Sequence, residues 1–394
     1  MNDSDATRVV RAGLPDEEPY APPLPGPVFA AHYHLPGDVT GAPYAYGRDA
    51  NPTWTALERA IGALEAPGSR TDTAPDAAPR PDAEDTSRLP VHTLAFASGM
   101  AAISATLLSQ LRPGDAVVFP SDGYNLLRPV GERLEGFGVE VRTAPTGGDG
   151  QRALLDGARM LWIESPSNPG LDVCDIRALA AEAHRGGALV AVDNTLATPL
   201  GQRPLELGAD FSVASGTKAL TGHGDLLLGY VACRDAALAD DIRLWRKTVG
   251  AVPGPMEAWL AHRSLATLDV RTARQAENAQ AVARALRGRR EVAGVRHPGL
   301  PEDAAHPVAS RQMVRYGCVV SFTLPDRAFA ERFLAALRLV DDATSFGGVR
   351  TTAERRGRWG GDDVPEGFVR LSVGVEDATD LVADVLGALD AAAA

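Results

Sequence analysis

Between Val91 and Ala232 one pattern recurs: a short, unbroken apolar run, a turn, then a stretch with helical character. The runs are "VHTLAFA", "AVVFP", "VEVRTA", "ARMLWIE", "ALVAVD", "ADFSVAS" and "DLLLGYVA". Helical segments such as Ala101–Leu111 and Asp175–Arg185 lie between several of them. Runs that are apolar at successive positions suit strands covered on both faces, and alternation with helices supplies the crossovers that parallel neighbours need. The expected fold class is therefore α/β with a mostly parallel central sheet. In such sheets ligands gather at the carboxyl ends of the strands.

The flanking sequence reads differently. Residues 1–53 are rich in Pro, Gly and Tyr and read as an arm with at most short helices. A helix is expected from Trp54 to Glu65. Pro67–Pro90 is Pro/Ala/Asp-rich with almost no large apolar side chain, and is expected to be a solvated, partly disordered loop. Helical sequence runs from Pro255 to Arg289. From Val292 onward "CVVSFTL", a helix near Ala328–Leu337, "FVRLSVG" and a terminal helix suggest a smaller α+β domain. The expected organisation is an arm (1–53), a large α/β domain (54–250), and a linking helix with a C-terminal α+β domain (251–394). A net charge of −12 argues against nucleic acid or an anionic membrane as partner. Cys174, Cys233 and Cys318 show no metal-ligand spacing and read as reduced thiols, so no metal is expected. The acidic N-terminus lacks the apolar core of a signal peptide, and no apolar run reaches the ~18 residues of a membrane span. A cytoplasmic location is expected.

The chemistry centres on "SVASGTKALTGHGDLLLGY" (212–230), where Lys218 follows an apolar strand among glycines and hydroxyls. A lysine amine becomes useful when burial lowers its pKa or when it is held as an imine on an aldehyde cofactor. Ser215 and Thr217 would suit a phosphate beside it. Taken alone, the stretch favours a strand-end lysine that snorkels to water. Other strand exits change the balance. "VAVDN" ends on Asp193, a carboxylate able to pair with the ring nitrogen of pyridoxal 5′-phosphate (PLP), or simply to cap a turn. "LWIESPSNPG" ends on Glu164 and a proline-framed turn with Asn168. "FASGMAA" passes through Gly99 and Met100 into a helix, whose free N–H groups can hold phosphate; an ordinary Ser98 cap explains it equally. Tyr124 follows "AVVFPSDG" and could stack on a flat ring or fill the rim. The order of these signals, each at a strand's carboxyl edge, points to one cofactor site.

With these motifs in place, the chain resembles the Cys/Met-metabolism group of fold-type I PLP-dependent enzymes. "YAYGRDANPTW", "ASGMAA", "ESPSNP", "VDNT", "SGTKALTGHGD", "SFGG" and "RLSVGVED" follow in that family's order. The resemblance implies a transferase-like fold of type I and the following roles. Lys218 would hold PLP covalently, Asp193 would pair with the pyridine nitrogen, and Asn168 would lie near the phenolic oxygen. Tyr124 would stack on the ring and assist proton movement. Gly99, Met100, Ser215 and Thr217 would bind the phosphate, while Tyr46 and Arg48 would reach the phosphate of a neighbouring subunit. That implies a homodimer as the minimal active unit and favours a homotetramer. Arg370 with Ser345 would clamp the substrate α-carboxylate.

The implied function is γ-elimination on L-cystathionine. γ-Replacement on an O-acylhomoserine and methionine γ-elimination are the alternatives, and an inactive scaffold of the same fold is a remote one. Departures from the family pattern fall near the expected side-chain pocket. Asn125, Leu126 and Leu127 follow Tyr124, Thr344 precedes Ser345, and "VRTTAERRGRWGGDD" follows "SFGG". Arg128, Arg350, Arg355, Arg356 and Arg358 could meet the far carboxylate of a long substrate or be solvated loop charges.

Overall fold

The computed structural model describes residues 3–67 and 90–394. The expected loop at 67–90 lies almost wholly outside the described residues. Seven strands form the first sheet: β1 (His92–Phe96), β2 (Ala116–Pro120), β3 (Glu140–Ala144), β4 (Met160–Glu164), β5 (Leu189–Asp193), β6 (Phe211–Ala214) and β7 (Gly229–Cys233). Their order is β1-β7-β6-β5-β4-β2-β3. The run from β6 to β3 is parallel throughout, while β7 lies antiparallel to both β6 and β1. The alternating pattern thus builds the expected α/β sheet, with one reversed strand. The reversal gives β6 and β7 a shared end, and the connection between them carries Lys218.

Local chemistry sets the crossovers. Ser98 caps the helix Gly99–Gln110 by accepting from Ala101 N, and Asp175 caps Ile176–Arg185 by accepting from Ala178 N. β2 and β4 are buried at every position, as strands covered on both faces must be. The edge β3 is half exposed and carries charge. The opposite edge, β1, is closed by side chains. Glu58 accepts from Ala95 N at 2.8 Å, and Arg246 donates to Ala95 O at 2.8 Å and to Glu58 at 2.6 Å.

The second sheet contains β8 (Ala293–Arg296), β9 (Val319–Thr323), β10 (Asp341–Asp342), β11 (Thr352–Arg355) and β12 (Phe368–Ser372), ordered β10-β11-β12-β9-β8. The period-two alternation of β12 sends Val369 and Leu371 into a core with Phe322, Phe333 and Leu389. Arg370 goes to the other face. There Ser321 Oγ donates to Pro169 O at 2.7 Å and Arg370 Nη1 to Asn168 Oδ1 at 2.6 Å, so this sheet docks on the β4 exit.

Five elements differ from expectation. The helix expected over Pro255–Arg289 is two helices, Pro255–Leu265 and Leu268–Arg287. The break leaves the Ser264 carbonyl free to accept from buried Arg271, which also holds the Ala219 and Leu220 carbonyls just past Lys218. β7 begins at Gly229 rather than Asp225, because Thr217 engages both backbone groups of Leu228. β8, β10 and β11 carry too much charge or are too short to stand out in the sequence. The arm holds a short helix, Asp5–Arg11, and a bridge between His32 and Tyr46; Tyr20 and Phe29 stand exposed.

Candidate active site

A cavity of about 510 Å³ opens at the carboxyl ends of β4, β5 and β6. Lys218 lines it from the connection after β6. Its Nζ donates to Ser345 Oγ at 2.8 Å and lies 5.2 Å from the centre of the Phe346 ring. Burial, followed by the charge of Arg370, lowers its pKa to about 8. The amine is therefore neutral in roughly a tenth of molecules at pH 7, far more than an ordinary lysine, as a nucleophile or base requires.

Across the cavity, β5 presents Asp193. Thr195 holds its Oδ1 with both backbone N–H (3.0 Å) and hydroxyl (2.5 Å), and Thr195 Oγ1 accepts from Ser215 N at 2.8 Å. No described hydrogen bond uses Asp193 Oδ2. Burial raises the Asp193 pKa, opposed by its bonds to Thr195. A buried carboxylate with one oxygen fixed and one unused is fitted to receive an N–H from a ring.

The helix start at Gly99 faces the same space. A Cβ on Gly99 would come within 2.6 Å of Ser215 Cβ, so only glycine lets the helix N-terminus approach the β6 exit this closely. A Cβ on Gly229 would strike the Ser98 carbonyl, so this glycine serves close backbone approach. Gly99, Met100 and Ser215 line the cavity; the N–H groups of Gly99 and Met100 are ones a helix cannot satisfy internally, while Ser215 N is held by Thr195 and only its side chain is left to offer. Thr217 also lines it, but its hydroxyl donates to Leu228 O and accepts from Leu228 N.

Sequence reasoning noted Glu164 without assigning it a task. It pairs in register with Asp193 on the adjacent strand. Its Oε2 accepts from Tyr124 N at 2.7 Å and its Oε1 from Asn168 N at 2.9 Å. One carboxylate therefore fixes the backbone beneath two site residues. Burial, then the nearby Asp193 charge, raises its pKa well above the ordinary glutamate value. The period of β4 could have revealed it, since the strand ends on an acid aligned with Asp193.

Arg370 is 3% exposed and donates to Asn168 Oδ1, Ser345 O (3.1 Å) and Glu354 Oε1. Burial, then the Arg356 charge, brings its pKa down to about 10. Glu354 is a hub that the sequence did not disclose. Its Oε1 also accepts from Arg356 Nη1 at 2.8 Å, and its Oε2 from Trp359 Nε1 at 2.8 Å. Burial works to raise its pKa, but the neighbouring cations, Arg370 foremost, hold it below the ordinary value. Ser345 sits at φ 81°, a left-handed conformation unusual for a residue with a Cβ. That conformation accompanies both of its contacts, to Lys218 and to Arg370.

Tyr124 lines the cavity, and its phenol pKa is raised, chiefly by burial. Of the residues expected at the site, the cavity brings together Gly99, Met100, Tyr124, Asn168, Asp193, Ser215, Thr217, Lys218, Ser345 and Arg370. Tyr46 and Arg48 do not join them. Arg48 stacks on the Tyr46 ring at 5.4 Å and donates to Lys247 O, and Tyr46 is 45% exposed.

A mostly parallel sheet with a lysine, a cavity-lining aspartate that has one oxygen without a described bond, and a helix N-terminus around one cavity defines a PLP-dependent α/β enzyme. Comparison with known proteins narrows this. The model of the family "Cys/Met metabolism PLP-dependent enzyme" matches residues 90–390, and the chain belongs to that family. PLP is its cofactor and a small amino acid its substrate. A Streptomyces coelicolor protein named "Putative cystathionine gamma-lyase" is 68% identical over 98% of this chain and 93% of its own. The cystathionine gamma-synthase of Mycobacterium tuberculosis is 36% identical over 98% of this chain and 96% of its own. Among solved structures, the cystathionine gamma synthase of Xanthomonas oryzae in complex with cystathionine matches with a TM-score of 0.89 and 31% identity, covering 100% of this chain and 99% of that one. The Micromonospora echinospora protein CalE6 matches with a TM-score of 0.87 and 36% identity, covering 98% and 99%; its structures carry the names methionine gamma lyase and "cystathione gamma lyase". Among the described residues no helix is long and apolar enough to cross a membrane.

Proposed function

We propose that this enzyme performs γ-elimination on L-cystathionine, converting it with water into L-cysteine, 2-oxobutanoate and ammonia. The observation that carries the reaction class is the meeting of Lys218, Tyr124 and Arg370 in one cavity. The 68% identity to a protein named for cystathionine γ-lysis favours cystathionine among the substrates of this family.

The residues divide the work. Arg370 grips the substrate α-carboxylate with the N–H groups its partners leave free, and the Ser345 turn holds that guanidinium in place. Lys218 is the attachment point of the cofactor aldehyde. Its amine would also take the α-proton and deliver protons along the substrate chain. When bound, PLP supplies an electron sink for the substrate α-carbon. With the cofactor bound, Asp193 would keep the ring nitrogen protonated through its unused oxygen, and Asn168 would serve the ring oxygen. Gly99, Met100, Ser215 and Thr217 bind the phosphate, Thr217 through its position more than its occupied hydroxyl. Tyr124 covers the ring and donates a proton at the leaving sulfur; its raised pKa keeps the phenol protonated for that step. Tyr46 and Arg48 serve the site of a neighbouring subunit, in a homodimer that pairs into a homotetramer. The chain divides near residue 250 into the α/β and α+β domains, and the enzyme works in the cytoplasm.

A γ-synthase is the second reading, favoured by the match to a synthase structure that holds cystathionine. The deciding experiment incubates PLP-loaded protein with cystathionine, methionine, homocysteine and O-acylhomoserines, and measures 2-oxo acid and thiol. Cystathionine is expected to yield 2-oxobutanoate and cysteine. Efficient condensation of an O-acylhomoserine with cysteine, and little 2-oxobutanoate from cystathionine, would overturn the lyase reading.

A further inference from the structure

The three segments in which this chain departs from its family's pattern are far apart in sequence and meet in space. Asn125 and Leu126, Thr344, and Arg356 with Trp359 all line the cavity. A Cβ on Gly361 would sit 2.8 Å from Asn125 Nδ2, so the first and third segments pack against each other. Together they form one wall, on the side where Tyr124 stands.

Of the five arginines in or near these segments, Arg356 alone lines the cavity. Arg355 leaves β11 on the opposite face and pairs with Glu366 and Glu331. Arg358 pairs with Asp342 and lies over the Trp359 ring. Arg128 and Arg350 are exposed. Arg356 is 5% exposed and anchored on two sides: Nε donates to Asp362 Oδ2 at 2.6 Å and Nη1 to Glu354 Oε1 at 2.8 Å. Nη2 lies 2.6 Å from the same Asp362 oxygen, so each nitrogen has one partner, which leaves one N–H on Nη1 and one on Nη2 of the guanidinium's five.

Glu354 Oε1 holds Arg370 as well, so one carboxylate oxygen sets the relative position of two cations. If Arg370 takes the α-carboxylate, Arg356 is a second, pre-anchored cation beyond Tyr124. Arg356 lines the cavity together with Trp359 and with Asn125, the residue next to Tyr124, and Gly361 abuts Asn125, so Arg356 belongs to the wall beside the proposed proton donor. A methylthio group offers such a guanidinium nothing. A leaving group that bears a carboxylate offers it a charge-assisted hydrogen bond, and the Trp359 indole can cover the thioether stem.

We propose that Arg356 is a specificity-determining residue that receives the carboxylate of the leaving group, with Asp362 and Glu354 holding it ready. The substrate class is then a γ-substituted amino acid with an acidic leaving group. This rests on the proposed reading of the site, with Arg370 at the α-carboxylate.

The test compares L-cystathionine with L-homocysteine, which has the same γ-sulfur but no second carboxylate, in the PLP-loaded wild type and in R356Q and R356K. In R356Q the kcat/KM ratio of cystathionine to homocysteine is expected to fall roughly tenfold or more, mainly through KM, as loss of one charge-assisted contact predicts. R356K should recover part of it, since lysine keeps the charge and loses the fork. Binding followed through the cofactor's visible band separates lost affinity from lost turnover and reports whether the variants still fold and hold PLP.

An unchanged ratio, or parallel loss on both substrates with the α-carboxylate grip weakened, overturns the proposal. Should the wild type produce no 2-oxobutanoate from cystathionine, the lyase reading fails separately. The comparison of O-succinyl- with O-acetylhomoserine, which differ by the same carboxylate, then decides about Arg356: a fall in the succinyl-to-acetyl ratio in R356Q sustains it, and an unchanged ratio refutes it.

Discussion

Lys218 shows how a single residue can be set for chemistry by its surroundings. With its pKa near 8, the amine should attack the cofactor aldehyde only in its neutral form. Reconstitution of apoprotein with PLP, followed by visible absorbance, should therefore speed up with rising pH to a plateau above about 8, and K218A should stay colourless. Glu164 makes a different point. Both its oxygens accept backbone N–H groups, at Tyr124 and at Asn168. In E164Q one of those donors would face an amide NH2 instead. We expect kcat/KM to drop roughly 10- to 100-fold, together with a shift of the bound cofactor's visible band. An unmoved band and an unmoved rate would reduce Glu164 to packing. Lys218 and Asp193 could be suspected from their strand ends. Glu354 could not, because its importance lies in which cations reach it, and those come from β12 and from the turn after β11.

At the scale of elements, the helix Pro52–Glu65 is tied to the backs of β6 and β7 through its last residue. Buried Glu65 accepts from Ser212 Oγ at 2.9 Å and Tyr230 Oη at 2.5 Å, while its Oε2 has no hydrogen-bond partner among the described residues. Burial raises its pKa from 4.5 to about 7. A carboxyl with a folded-state value above its unfolded one binds its proton more tightly when folded. Its contribution is complete below about 4.5 and is lost as pH rises through 7. E65Q should remove that dependence: between about pH 5 and about pH 8 the wild type should lose up to roughly 3 kcal/mol more stability than the variant, read from denaturant midpoints. The strands of the first sheet were legible because both faces are covered and their apolar runs are continuous. β10 and β11 were not, since strands carrying Asp342, Glu354 and Arg355 are stabilised by ion pairs that no local pattern discloses. The split of the long helix at Ala266–Thr267 depends on Arg271 finding carbonyls of a distant loop.

For the whole molecule, the arm is the unfinished part. Arg48 and Tyr46 lie outside the cavity of their own chain, and Phe29 is 68% exposed. If they complete a neighbour's site, R48A and K218A subunits, each impaired alone, should recover activity when unfolded and refolded together. A hybrid then contains one site with both residues intact. Absence of recovery in verified hybrids would return Arg48 to a surface role.

The α/β class, the succession of the first seven strands along the chain, and most of the side chains that share the cavity are readable without any coordinates. Those features follow from local periodicity and from residue types placed at strand ends, and both are written in adjacent positions. Tertiary structure decided the rest: the reversed β7, the clamp of Glu164, and the choice of Arg356 from five arginines of similar sequence setting. Each depends on contacts between segments far apart in the chain, where burial and charge pairing become defined only after the two sheets have docked.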